Sequence, residues 1–169
     1  MIWIFNSMPL IYLSKVSLSW IFEELEGEKL IPETVYREVV VKGKEKGVID
    51  AFIVNELVNE GVFKVVKVEP VSWLKEVKEL HRGEIEVLSL AKEKNGIAIT
   101  DDSIAREMGE MLGVKVHGTL YLIFLMLKKG KIDKKTAVNK VNEMIKKGFR
   151  LSAEVYSEFL KLIDNLGNT

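Results

Sequence analysis

The chain has 169 residues, of which 47% are hydrophobic and 30% are charged, with no cysteine, two histidines and a formal net charge of zero. This length and composition predict one globular domain with a substantial core and exclude a disordered or fibrous protein. Without cysteine, disulfides, thiolate catalysis and cysteine-based zinc or iron–sulfur sites are excluded, so a bound metal would be Mg²⁺ or Mn²⁺ held by oxygen ligands.

The apolar pattern along the chain predicts strands and helices in alternation. The predicted strands are residues 1–5, 29–31, 62–68, 96–100 and 114–116. The predicted helices begin at Pro9 and Pro32, occupy residues 48–59, 71–80, 83–94 and 102–112, and end with three helices from Thr119 onward. This order predicts an α/β fold, with a three-layer open sheet of four or five mainly parallel strands, helices on both faces and a helical C-terminal extension.

The domain prediction is an α/β domain over residues 1–150, followed by a C-terminal helix over residues 151–169 that packs on it or on a partner. The apolar residues 1–22 lack the basic region of a signal peptide and are broken by Asn6, Ser7 and Pro9. The apolar run Leu120–Leu127 is too short to cross a bilayer. We therefore expect a cytoplasmic protein without membrane attachment.

Basic residues concentrate in one segment. Residues 128–150 contain nine lysines and arginines but only two acidic residues, Asp133 and Glu143. Such asymmetry indicates a polyanionic partner. A solvated, lysine-rich helix face is an equally good interpretation, because a chain rich in Lys and Glu and free of Gln and Cys is typical of a thermophilic source.

Two adjacent carboxylates, Asp101 and Asp102, follow a buried strand and precede a helix. In parallel sheets, ligands bind at such strand-to-helix junctions. One Asp could simply cap the helix, with Asp102 and Arg106 forming an exposed pair. Two like charges side by side repel each other unless a cation or a proton intervenes, so the pair favours a metal site.

Three further positions carry polar side chains toward the same edge of the predicted sheet. Asn6, with Ser7 beside it, ends the first strand, which we expect to neighbour the fourth. Glu38 borders the apolar stripe of its helix, and Glu84 lies in a first helical turn, where it also favours the helix dipole. Glu86, two positions further on, is expected to face solvent.

Five motifs occur together in order, and no single one is specific. They are Asn6–Ile11, Ile31–Val39, Gly83–Ala91, Ile99–Arg106 and Gly118–Thr119. This combination resembles the PIN-domain superfamily over residues 1 to about 150. More narrowly, it resembles PIN-like proteins that open with an Asp/Asn-x-Ser-Pro-Leu-Ile type motif and later carry Asp-Asp-x-x-Ala-Arg.

The resemblance implies a Mg²⁺- or Mn²⁺-dependent ribonuclease, often the toxin of a toxin–antitoxin pair. Its acidic positions fall on Asn6, Glu38, Glu84, and Asp101 or Asp102, with the choice between the last two left open. These five are the implied metal ligands, and the four acids among them are the implied catalytic residues. Ser7 and Thr119 would support them. The residues expected to position the RNA backbone are Lys128, Lys129, Lys131, Lys134 and Lys135.

Asn6 departs from the family pattern, because an amide oxygen offers no charge to a metal. The main hypothesis is an endoribonuclease acting on single-stranded RNA, and the alternative is a catalytically silent module that binds RNA or a partner. An antitoxin protein and a second copy of the chain are the other expected partners. For the homodimer we expect contacts through exposed apolar residues such as Phe149, Phe159 and Leu160.

Overall fold

The computed structural model describes residues 1–167 and contains one five-stranded, all-parallel sheet with the order β3-β2-β1-β4-β5. The strands are β1 (Ile2–Phe5), β2 (Glu28–Pro32), β3 (Lys64–Val66), β4 (Ile97–Ile99) and β5 (Lys115–His117). The predicted α/β class, with helices on both faces of a parallel sheet, is confirmed.

Ten α-helices lie among the described residues. They are α1 (Ser7–Lys15), α2 (Trp20–Glu24), α3 (Glu33–Tyr36), α4 (Lys42–Lys46), α5 (Ile49–Asn59), α6 (Arg82–Lys94), α7 (Ser103–Leu112), α8 (Thr119–Lys128), α9 (Lys134–Lys146) and α10 (Ala153–Leu166). A π-helical turn, Arg37–Val41, joins α3 to α4, so residues 33–46 form a continuous helical stretch.

The core forms around the apolar strands. Ile4 and Phe5 of β1 are fully buried, as expected for the central strand of a sheet covered on both faces. The rings of Phe5, Phe22 and Phe63 meet edge to face, with centroids 5.0 to 5.4 Å apart. Helix α6 packs across β1, β2 and β4 and covers this part of the sheet.

The strand order reverses direction between β1 and β4. From β1 the chain proceeds to β2 and β3 on one side, whereas β4 and β5 lie on the other. Phe5 pairs with Ile99 at the carboxyl ends of these two strands. Open parallel sheets bind ligands at such a switch point, and Asn6 and Thr100 are the first residues beyond it.

The chain divides into two compact units, residues 1–119 and residues 120–169. The first unit contains the sheet and α1 to α7, and the second contains most of α8 together with α9 and α10. The predicted division at residue 150 stays a prediction. None of the helices among residues 1–167 is both long enough and apolar enough to cross a membrane.

Two expectations about local structure are wrong. Residues 71–80 form only a short 3₁₀ turn, Ser72–Glu76, because this tighter geometry rarely extends beyond about three or four residues and the backbone becomes extended at Val77. Phe149 and Phe159 are each 3% exposed, so they are core residues and not an apolar contact surface.

Candidate functional site

Asn6 is held rigidly where β1 ends and α1 begins. Its backbone N–H donates to the carbonyl of Ile99 at 2.9 Å, which ties it to the end of β4. Its side-chain Oδ1 accepts the N–H of Ser7 at 2.9 Å, and its Nδ2 donates to the hydroxyl of Thr100 at 3.1 Å. Asn6 is therefore the N-cap of α1, and its amide has one fixed orientation at the edge of the sheet.

Glu38, in the π-helical turn, lies near Asn6 and binds the residue that follows it. The hydroxyl of Ser7 donates to Glu38 Oε2 at 2.8 Å. A Cβ placed on Gly83 would lie 3.4 Å from Asn6 Oδ1 and 3.6 Å from Glu38 Oε1, so both oxygens border the space above this glycine. A π-turn within a helix often occurs at a functional site, and here it carries the exposed carboxylate toward α1 and α6.

Glu84 and Asp102 form a second pair of carboxylates. Glu84 Oε2 accepts the N–H of His81 at 3.0 Å and closes a capping box at the start of α6. Asp102 Oδ2 accepts the N–H of Ala105 at 2.8 Å and caps α7. Burial raises the pKa of Glu84 above its usual value, and the nearby negative charge of Asp102 raises that pKa further.

Asp101 is turned away from this pair, toward the end of β5. Its Oδ1 accepts the N–H of Thr119 at 2.9 Å, and its Oδ2 accepts the hydroxyl of Thr119 at 2.6 Å. Burial raises the pKa of this carboxyl, although both bonds from Thr119 and the charge of Arg106 oppose that rise. Both carboxylate oxygens of Asp101 are thus committed to joining β4 to the start of α8.

Glu38, Glu84 and Asp102 share a different arrangement. In each, one oxygen accepts a hydrogen bond within the protein, and the other accepts none from another residue among those described. The bound oxygen fixes the direction of the carboxylate, while the second remains able to take a ligand. These three carboxylates and the amide of Asn6 offer oxygen atoms, which are the ligands that Mg²⁺ and Mn²⁺ prefer.

These donors therefore fit a hard divalent cation by their chemistry, and the gap above Gly83 leaves room between two of them. Within residues 1–167, however, no three acidic or histidine side chains already converge as a formed metal centre. The structure contains two pairs of donors, Asn6 with Glu38 and Glu84 with Asp102. Side-chain movements would be needed to bring both pairs onto one ion.

Two residues near the site have roles that the sequence pattern did not indicate. Thr100, 1% exposed, accepts hydrogen bonds from Asn6 Nδ2 and, at 3.3 Å, from the N–H of Asp102, so it links the two strand ends. The position of Thr100 directly before Asp101 and Asp102 is the sequence feature that could have indicated this role.

Glu86 is 3% exposed, so the expectation that it faces solvent is wrong. It accepts the Thr34 hydroxyl and the Arg82 guanidinium, which compensate its buried charge.

The predicted RNA-binding lysines belong to the second unit, whereas the polar and acidic residues above belong to the first. Lys128 ends α8, and Lys134 and Lys135 begin α9. Lys129 and Lys131 lie in the connection between these helices. Their contact with RNA stays a prediction.

A family model described as DUF3368, PIN domain, matches residues 2–165. The chain belongs to this PIN-domain family. PIN domains are in general nucleases and typically depend on divalent metal ions. The match spans nearly the whole chain, so the predicted superfamily is confirmed, while the narrower subgroup stays a prediction.

The solved structures that match this chain include two proteins of low sequence identity. A PilT N-terminus domain protein of the hyperthermophile Sulfolobus solfataricus P2 is 14% identical, with a TM-score of 0.45 over 72% of this chain and 90% of that one. The protein PAE2754 of Pyrobaculum aerophilum is 16% identical, with a TM-score of 0.46 over 72% of this chain and 95% of that one. A search of curated proteins gave no match.

Proposed function

We propose that this PIN-domain protein is a Mg²⁺- or Mn²⁺-dependent endoribonuclease that cleaves single-stranded RNA. One observation carries the proposal. Three carboxylates from three different segments, Glu38, Glu84 and Asp102, are each anchored through one oxygen and leave the other available, and Glu38 borders the same gap as the amide oxygen of Asn6. The PIN-domain membership supports a nuclease, and the oxygen donors support the hard divalent ion.

In this proposal Asn6, Glu38, Glu84 and Asp102 hold the metal ion. A bound divalent ion would neutralise charge on the phosphodiester and lower the pKa of a coordinated water. Ser7 orients Glu38, and the N–H of His81 orients Glu84. Asp101 is assigned a positioning role, because both of its oxygens are used by Thr119.

Single-turnover cleavage of a fluorescent single-stranded RNA, with Mn²⁺ and with EDTA, tests the proposal. We expect metal-dependent cleavage that falls at least about a hundredfold in Glu84→Gln and in Asp102→Asn, a loss of about 2.7 kcal/mol in transition-state stabilisation. Glu93→Gln is the matched control, since Glu93 is an exposed acid on the same helix as Glu84. Cleavage that survives EDTA, or that both variants retain, would refute the proposal.

The second candidate function, a catalytically silent RNA-binding module, rests on the neutral side chain of Asn6. Its Nδ2 donates to Thr100, so the structure accommodates an amide here without strain. Asn6→Asp distinguishes the two functions, because a fourth carboxylate should raise the affinity for Mn²⁺. If the wild-type chain binds RNA without cleaving it and Asn6→Asp cleaves it, the silent function is supported.

The toxin role is a further part of the proposal. If the chain is the toxin of a toxin–antitoxin pair, its expression should arrest growth of a bacterial host. The matched Asp102→Asn chain, produced at the same level, should not. Equal growth of both cultures would argue against a toxin.

A further inference from the structure

Arg106 lies in the first turn of α7, one helical turn after Asp102, and its side chain is exposed beside the candidate site. A Cβ placed on Gly118 would lie 3.2 Å from Arg106 Nη2 and 2.7 Å from Asp101 Oδ1. The guanidinium therefore reaches the carboxyl edge of the sheet, where β4 and β5 end. Gly118 keeps this space free, because any side chain there would collide with the carboxylate of Asp101.

The N–H donors of the Arg106 guanidinium are also available to a ligand. It forms no hydrogen bond or ion pair with any other residue between 1 and 167, although it lies close enough to Asp101 to attract its charge. By contrast, Arg82 is paired with the buried Glu86 at 3.0 Å, and Arg37 is paired with Glu33. Of these three arginines in the first unit, Arg106 is the one that can give its full set of donors to a ligand.

A metal site built from carboxylates repels a nucleic acid until positive charge compensates for it. A guanidinium is suited to this task, because its planar set of N–H donors matches two phosphate oxygens at once. We propose that Arg106 binds a backbone phosphate of single-stranded RNA next to the candidate metal site and thereby sets the position of the strand. This inference rests on the proposed function in one respect, namely that the polyanion bound by Arg106 is RNA.

The test is fluorescence anisotropy of a labelled single-stranded RNA in EDTA, so that no cleavage occurs, with wild type, Arg106→Gln and Arg106→Lys. We expect Arg106→Gln to weaken binding at least about fivefold and to reduce the slope of log affinity against log salt by about 0.7, the value of one phosphate contact. Arg106→Lys should recover the slope and part of the affinity. The matched control is Lys94→Gln, because exposed Lys94 lies at the last position of α6, whose first turn carries Glu84.

Cleavage kinetics with Mn²⁺ complete the test. Arg106→Gln should raise KM by the factor lost in binding and leave kcat within about threefold, since the residue positions substrate without joining the chemistry. Wild-type binding without any cleavage would refute the proposed nuclease, yet a loss of binding confined to Arg106→Gln would still support this inference. Unchanged affinity and slope in Arg106→Gln, or an equal loss in Lys94→Gln, would overturn this inference.

Discussion

Replacing Thr119 by Val should destabilise the protein without opening a cavity. Thr119 is completely buried, and its hydroxyl donates to Asp101 Oδ2 at 2.6 Å, while its backbone N–H donates to Oδ1 at 2.9 Å. Val has nearly the same shape, so the substitution removes the hydroxyl donor and keeps the backbone bond. The carboxylate of Asp101 then loses one of its two hydrogen bonds.

A hydrogen bond to a charged group contributes about 1.5–3 kcal/mol, so we expect Thr119→Val to lower the free energy of unfolding by about 2 kcal/mol. For a chain of this length, that corresponds to a fall in Tm of roughly 4–8 °C. Urea unfolding followed by circular dichroism at neutral pH measures the loss. Thr119→Ser is the matched control, because it keeps the hydroxyl.

If Thr119→Val unfolds within about 0.5 kcal/mol of wild type, the range of an ordinary surface substitution, the hydroxyl of Thr119 does not stabilise the protein. The same conclusion would follow if Thr119→Ser loses as much stability as Thr119→Val. In that case the methyl group of Thr119, and not its hydroxyl, would hold β4 to α8.

Two further predictions concern the surroundings of the site. Gly83→Ala should fold with a stability within about 1 kcal/mol of wild type, because Ala favours a helix and its methyl would make contacts no shorter than 3.4 Å. The same methyl would fill the space beside Asn6 Oδ1, so Mn²⁺ affinity in calorimetry should fall at least about tenfold; wild-type affinity would contradict this use of the gap. Burial lowers the pKa of His117, and the charges of Arg106 and Lys115 lower it further. As pH falls, the unfolded chain is therefore protonated at this residue before the folded chain is, and the free energy of unfolding decreases below about pH 6.5. His117→Gln should lose less stability than wild type between about pH 7.5 and about pH 5.5 in urea unfolding, and parallel losses would exclude His117 as the cause.

The sheet and the edge that holds the site were predictable from the sequence for a local reason. Apolar runs separated by amphipathic segments give strands and helices in alternation, and a polar residue directly after a buried strand must lie at the carboxyl edge of the sheet. Asn6 and Asp101 could be placed there without coordinates. The order of the motifs was equally a property of the sequence, and it indicated the PIN-domain family.

Only the tertiary structure distinguishes the roles of residues that have the same side chain and lie close together in the sequence. Asp101 and Asp102 are indistinguishable as a pair of letters, yet the approach of Thr119 occupies both oxygens of Asp101, while Asp102 caps α7 and faces Glu84. Glu84 and Glu86 lie on one helix, but Glu84 is half-buried and Glu86 is 3% exposed, because α6 is covered on several sides and Thr34 supplies a donor to Glu86.

The sequence by itself therefore determined the fold class, the family and the edge of the sheet where polar side chains gather, because these follow from short-range periodicity and chain order. The tertiary structure decided which oxygens remain available and that Arg106 forms no hydrogen bond or ion pair with another described residue. Such availability depends on hydrogen bonds between segments far apart in the chain, as between Asn6 and Thr100 or Asp101 and Thr119. The sequence pattern does not show which donors and acceptors of distant segments pair with each other.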